Sequence, residues 1–93
     1  MSPSLKLEYS RHFLRERKKY LFRNPVRLAG YHSAVGLFVA DPSYPGLNVE
    51  KLKHAKGVFS LRLSKGDRIF FIWKDETTAL FIDIGSHDKY RRY

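Results

Sequence analysis

The sequence predicts an α+β fold in which two N-terminal helices pack on one face of a twisted, mainly antiparallel sheet. Three observations lead there. Apolar residues recur at helical spacing between residues 10 and 40, they alternate with polar ones after residue 46, and turn formers separate the alternating stretches. A chain of 93 residues is expected to form a single domain, 1–93, around one core. Seven Phe, six Tyr and one Trp are enough to fill that core, and four Pro with six Gly are too few for a disordered chain.

Leu5–Tyr9 alternates Leu5, Leu7 and Tyr9 with Lys6 and Glu8, as a short first strand does. Ser10 then suits the N-cap of a helix running to about Phe22. Phe13, Leu14, Tyr20 and Leu21 form its thin apolar stripe, with Arg11, Arg15, Lys18 and Lys19 outside. Asn24 caps a second helix with Pro25 at its first position. Leu28, Tyr31, Val35, Phe38 and Val39 share one face of it. Gly30 and Gly36 each cost about 1 kcal/mol against Ala, so this helix depends on packing. Asp41-Pro42 and Tyr44-Pro45-Gly46 stop it. Val58–Leu63, Arg68–Lys74 and Thr78–Gly85 then read as an antiparallel meander rich in β-branched and aromatic residues.

The first hairpin fixes more than topology. Ser64-Lys65-Gly66 suits a three-residue loop with Gly66 left-handed. That loop sets Leu61 opposite Ile69 and Phe59 opposite Phe71 on the core face, and Arg62 opposite Arg68 on the other. Like charges directly opposite repel. A shared anion such as phosphate relieves the repulsion; the alternative is that each arginine has its own carboxylate, from Asp67, Asp83 or Glu50. Phe70 and Ile72 beside the arginines suggest an apolar surface that an acidic partner can cover.

Lys and Arg number 18 against 9 Asp and Glu, a net charge of +9. Residues 1–23 carry seven basic and two acidic side chains, and residues 47–93 carry ten and six. Such an excess favours a polyanionic partner, whether nucleic acid, an anionic membrane or an acidic protein, though a merely soluble basic protein also fits. No apolar run approaches the roughly 20 residues of a membrane span, and the N-terminus turns polar too soon for a signal peptide. Cysteine is absent, which removes thiolate chemistry and is consistent with a reducing cytoplasm.

Metal-free RNA cleavage needs a base for the ribose 2′-hydroxyl, cations on the phosphoryl oxygens and an acid for the leaving oxygen. Glu or His can be the base, Arg the clamp through its planar fork, and His or Tyr the acid. Glu50 beside Lys51 and Lys53, Arg62, Arg68, and a tail holding His87, Lys89, Tyr90, Arg91, Arg92 and Tyr93 supply these residue types. Each has a plainer reading: a solvated ion pair for Glu50, an exposed loop histidine for His87, a C-terminal anchor for the tyrosines. His12, His32 and His54 lack metal-ligand spacing, and no metal or cofactor is expected.

In order along the chain, Pro45-Gly46-Leu47, Lys51-Leu52, Phe59-Ser60-Leu61-Arg62, Asp67-Arg68-Ile69 and Ile84-Gly85-Ser86-His87-Asp88 resemble the RelE/ParE toxin superfamily, over nearly all its length. Within it the YoeB- and YafQ-like ribonuclease toxins are the most similar. The resemblance implies Glu50 as base, Arg62 as phosphate clamp with Arg68 on the same face, His87 as acid, and Tyr90 or Tyr93 as the C-terminal aromatic. Lys51, Lys53, Lys89, Arg91 and Arg92 then become RNA contacts. It further implies a toxin that cleaves mRNA on the ribosome, is neutralised by an acidic antitoxin, and meets operator DNA only through the antitoxin complex. The pattern also departs from its relatives. RelE carries lysines on the central strand where this chain has Ser60 and Arg62, and YoeB-like proteins place Tyr where Asp88 follows His87. ParE-type members share the fold, poison DNA gyrase and lack the catalytic set; they are the alternative.

Overall fold

Ser10 ends the first strand and begins the first helix. Its backbone N–H donates to the Phe81 carbonyl at 3.0 Å, while its Oγ accepts from the Phe13 N–H at 3.0 Å, which satisfies one of the helix's free donors. In the computed structural model, which describes residues 5–86 together with Asp88 and Lys89, the elements are β1 (Lys6–Tyr9), α1 (Arg11–Leu21), α2 (Pro25–Ala40), a 3₁₀ turn (Pro45–Leu47), β2 (Glu50–Lys51), β3 (Val58–Arg62), β4 (Asp67–Asp75) and β5 (Thr78–Ser86). Asn24 caps α2 through its side chain, with Pro25 at the first position as the sequence predicts.

The strands form one sheet in the order β1-β5-β4-β3-β2. Every pairing is antiparallel except β1 with β5, which run parallel. The α+β, mainly antiparallel architecture is therefore the one predicted. Two short elements are additions to it: the 3₁₀ turn, and the edge strand β2 that carries Glu50.

The helices meet one sheet face. Phe13, Phe38, Leu61, Ile69, Phe71 and Phe81 are all fully buried in that core. Phe38 meets Phe71 edge-on at 5.0 Å between centroids, a geometry that adds to area burial. A second cluster of Leu52, Val58 and Phe70, with Ala55 and Ile72 against it, covers a separate part of the sheet.

Three sequence expectations need correction. Leu14 and Leu28 stay 40% and 42% exposed and do not complete their stripes. Contact between the helix ends is made instead by Arg27, whose guanidinium lies 4.6 Å from the Tyr20 ring centre and donates to the Tyr20 carbonyl. Gly66 is not left-handed; among the described residues the positive-φ glycines are Gly57 and Gly85. Side chains hold the hairpin instead, with Ser64 Oγ donating to Asp67 Oδ2 at 3.1 Å and Arg68 donating to the Ser64 carbonyl at 2.9 Å. Finally, Phe70 is wholly buried. The residues around Leu52 and Ala55 fold against it, so it offers no surface to a partner.

Candidate functional site

The sheet register assembles the site. Glu50 stands opposite Ser60, Ser60 opposite Phe70, and Phe70 opposite Asp83. In the adjoining row Arg62 stands opposite Arg68, and Arg68 opposite Gly85. Directly opposed residues share a face and alternate along each strand. Arg62 and Arg68 are therefore cross-strand neighbours away from the Leu61–Ile69 core pair, as the sequence predicts, and Glu50 is the diagonal neighbour of Arg62. Diagonal neighbours lie about 7–8 Å apart, within reach of long side chains.

The two arginines differ in environment. Arg68 is only 7% exposed. Its Nη1 donates to the Ser64 and Asp67 carbonyls at 2.9 and 3.1 Å, which ties the hairpin to the strand. Arg62 is exposed, and among the described residues no carboxylate lies within ion-pair reach of it. Asp67, one of the carboxylates the sequence offered to these arginines, faces α1 and α2 instead: it lies 4.0 Å from Arg27 Nε and bonds the Tyr20 hydroxyl. Burial, then that bond, pushes the Tyr20 phenol well above its ordinary range.

Glu50 is exposed and accepts from Asn48 Nδ2 at 3.1 Å. Asn48 holds the left-handed φ of 46° that ends the 3₁₀ turn, so the Pro-Gly-Leu turn leads directly into the carboxylate. Lys51 is exposed beside it on the opposite parity, and Lys53 is exposed just beyond β2. His87, Tyr90, Arg91, Arg92 and Tyr93 lie outside the described residues.

Lys89, expected as an RNA contact, is engaged within the protein. Its ammonium donates to Glu16 Oε1 at 2.9 Å, Asp83 Oδ1 at 2.8 Å and the Ile84 carbonyl at 2.9 Å. An ammonium has three N–H donors, and these acceptors match them. The Lys89 hydrogen bond, foremost among the causes, holds the Glu16 carboxyl down at about 2. Asp83 is fully buried and also accepts from the Ile84 N–H, with His12 Nε2 at 3.2 Å. An unpaired buried carboxylate costs several kcal/mol, so this cluster is structurally demanding. Sequence spacing gave no sign of it, since Glu16 and Lys89 are 73 residues apart. One ligand atom each from His12, Glu16 and Asp83 lie within 4.8 Å of one another, a set that can hold a metal. Lys89 already supplies the positive charge there.

No protein-family model matches the chain, and no curated protein does. Solved structures match over most of its length. YafQ in the E. coli DinJ-YafQ toxin-antitoxin complex is 13% identical, with 92% of this chain and 96% of that chain covered at a TM-score of 0.75. The YoeB/ParE toxin from Agrobacterium tumefaciens is 14% identical, with 89% and 99% covered at 0.73. A metal-bound toxin from Helicobacter pylori is 25% identical, with 91% and 97% covered at 0.72. The chain thus has the fold of these toxins, and the resemblance seen in the sequence holds in three dimensions.

Proposed function

We propose that this protein is the toxin of a toxin–antitoxin pair and acts as an endoribonuclease on ribosome-bound mRNA. The observation that carries this reading is the Arg62–Arg68 pair with Glu50 diagonal to it. Two guanidinium-bearing residues on adjacent strands form a place for a phosphate, and the exposed Arg62 is the one available to grip its oxygens.

Glu50 accepts the ribose 2′-hydroxyl proton while that oxygen attacks the adjacent phosphorus. The bond from phosphorus to the 5′-oxygen breaks, and the His87 imidazolium protonates the departing oxygen. A 2′,3′-cyclic phosphate and a 5′-hydroxyl remain. A surface carboxylate is a weak base for a hydroxyl, so positioning and charge stabilisation at the phosphate provide much of the acceleration. Lys51 and Lys53 extend the cationic rim, with Arg91, Arg92 and the Tyr90 ring as further contacts from the tail. YafQ is seen in complex with DinJ, and the net charge of +9 here suits an acidic antitoxin as the neutralising partner.

The test is incubation of the purified protein with mRNA-programmed ribosomes, with cut sites and end groups read at nucleotide resolution. Wild-type protein should produce cyclic-phosphate ends. Arg62→Ala should lose on the order of 10²-fold in rate, as removal of a transition-state donor does. Glu50→Gln and His87→Gln should each lose roughly 10²–10⁴-fold, the span of a general acid or base. All three variants should still bind the antitoxin. No cleavage by the wild type, together with inhibited DNA supercoiling, would replace this reading with that of a gyrase poison.

A further inference from the structure

Tyr44, in the segment that ends α2, is held by its backbone and by a glycine. Its N–H donates to the Asp41 carbonyl at 3.0 Å, and its own carbonyl accepts from the Leu47 N–H at 3.1 Å. The ring lies against Gly46, where a Cβ would stand 2.8 Å from Tyr44 Cε1 and 3.4 Å from Cδ1. The glycine of the Pro45-Gly46-Leu47 turn thus has a physical reason: it leaves room for the ring. So held, Tyr44 is still 43% exposed. Of the other exposed aromatics, Tyr9 stacks on Phe13 and Phe22 lies under Arg23. Among the described residues no ring or cation is paired with Tyr44.

Two hollows meet at this ring. One, of about 170 Å³, is lined by Ala34 and Leu37 of α2, Tyr44, Leu47 and Arg62. The other, of about 450 Å³, is lined by Pro42, Tyr44, Asn48 and Val49. Asn48 in turn donates to Glu50 at 3.1 Å. Tyr44 therefore stands between a hollow bordered by Arg62, the phosphate clamp of the proposed reaction, and one bordered by the partner of Glu50, its base. Among the described residues, Arg62 is the one charged side chain lining either hollow.

We propose that Tyr44 binds the substrate RNA by stacking on a nucleobase next to the phosphate held at Arg62. Sites for single-stranded nucleic acid combine a cation for the backbone with an aromatic face for the base. One ring beside one arginine matches one base beside one phosphate. An acidic peptide would bring several carboxylates to a groove with a single cation. Because Gly46 and the two backbone bonds already hold the ring, little freedom is lost when a base settles on it. The inference rests on the ribonuclease reading for which base is stacked, but not for the stacking itself.

The test uses mRNA-programmed ribosomes and an mRNA carrying 2-aminopurine, whose fluorescence falls on stacking, on either side of the mapped cut. A 2′-deoxy sugar at the cut prevents cleavage. Wild type and Tyr44→Phe should quench the probe at one of the two positions, and Tyr44→Leu should not. With cleavable mRNA, kcat/KM should fall roughly 5- to 150-fold in Tyr44→Leu, the range for loss of one base–aromatic stack. Tyr44→Phe should stay near wild type. Both variants should keep the fold, since the position is exposed. Wild-type quenching and kinetics in Tyr44→Leu would overturn the proposal. A loss in Tyr44→Phe as large as that in Tyr44→Leu would also overturn it, because the hydroxyl and not the ring would then be the contact. So would unchanged cleavage with weakened antitoxin binding, which would assign the hollow to a protein side chain. If the wild type cleaves no RNA, the ribonuclease reading fails. Stacking is then decided with a free single-stranded RNA carrying 2-aminopurine at each position in turn. Quenching that is lost in Tyr44→Leu supports it, and no quenching by the wild type overturns it.

Discussion

Arg62 and Arg68 stand directly opposite one another on β3 and β4, yet their guanidinium groups differ in what they bind. Arg68 is nearly buried and closes its own hairpin through the Ser64 and Asp67 carbonyls. Arg62 is exposed and has no carboxylate within ion-pair reach among the described residues. One member of the pair holds the loop, which keeps the other poised at the strand end.

That asymmetry predicts opposite consequences for two similar substitutions. Arg68→Ala removes two charged hydrogen bonds from a buried position and should cost about 1–3 kcal/mol of stability. Arg62→Ala removes an exposed like-charge neighbour and should change stability by less than about 0.5 kcal/mol while abolishing most cleavage. Urea denaturation of both variants checks this. A destabilised Arg62→Ala protein with a wild-type-like Arg68→Ala protein would reverse the assignment.

Acid stability should report the Lys89 clamp. Glu16 has a folded-state value of about 2, against an ordinary 4.5, chiefly through the Lys89 hydrogen bond. A carboxyl depressed on folding contributes stability that is present above its unfolded value and is lost as pH falls through the folded one. Stability should therefore decline from about pH 4.5 towards about pH 2. Allowing for the partial exposure of Glu16, its share is on the order of 2 kcal/mol. Glu16→Gln should flatten that part of the curve, and an unchanged profile would show that the ion pair is not formed in solution.

The hairpin register was legible in the sequence because alternation admits only one parity that buries Phe59, Leu61, Ile69 and Phe71 together. The conformation of Gly66 was not legible, because Ser64, Asp67 and Arg68 hold that loop through side chains. Nor was the Lys89 clamp, whose acceptors on α1 and β5 come together only when the sheet is built. Phe70 looked like a surface residue for a related reason. Nothing local to β4 says that Leu52 and Ala55 will fold over it.

Burial of Phe70 gives a direct check on that second cluster. Phe70→Ala should leave a cavity and cost about 3–5 kcal/mol, as large aromatic truncations in cores do. Val26→Ser, at a position 82% exposed on α2, should stay within about 0.5 kcal/mol of wild type. Thermal unfolding of the two variants distinguishes a covered Phe70 from an exposed one, since equal small effects would mean that the cover does not form.

The Arg62–Arg68 pair should also bind a simple dianion in the absence of RNA. Arg62 is exposed to solvent and stands opposite the nearly buried Arg68 in the β3–β4 register, so an anion bound at Arg62 relieves the repulsion between the two like charges. A ligand that binds only the folded state stabilises it by RT ln(1 + [L]/Kd), about 1.4 kcal/mol at ten times Kd. For a domain of this size that is a rise of several degrees in Tm. Sulfate also stabilises proteins generally by exclusion from their surfaces, so the informative quantity is the difference between wild type and Arg62→Ala at equal sulfate and equal ionic strength. Wild type should gain several degrees more than the variant, and the excess should saturate with concentration as a single site does. An identical, non-saturating gain in both proteins would mean that the arginines form no anion site, and the phosphate clamp on which the ribonuclease reading depends would have to be sought elsewhere.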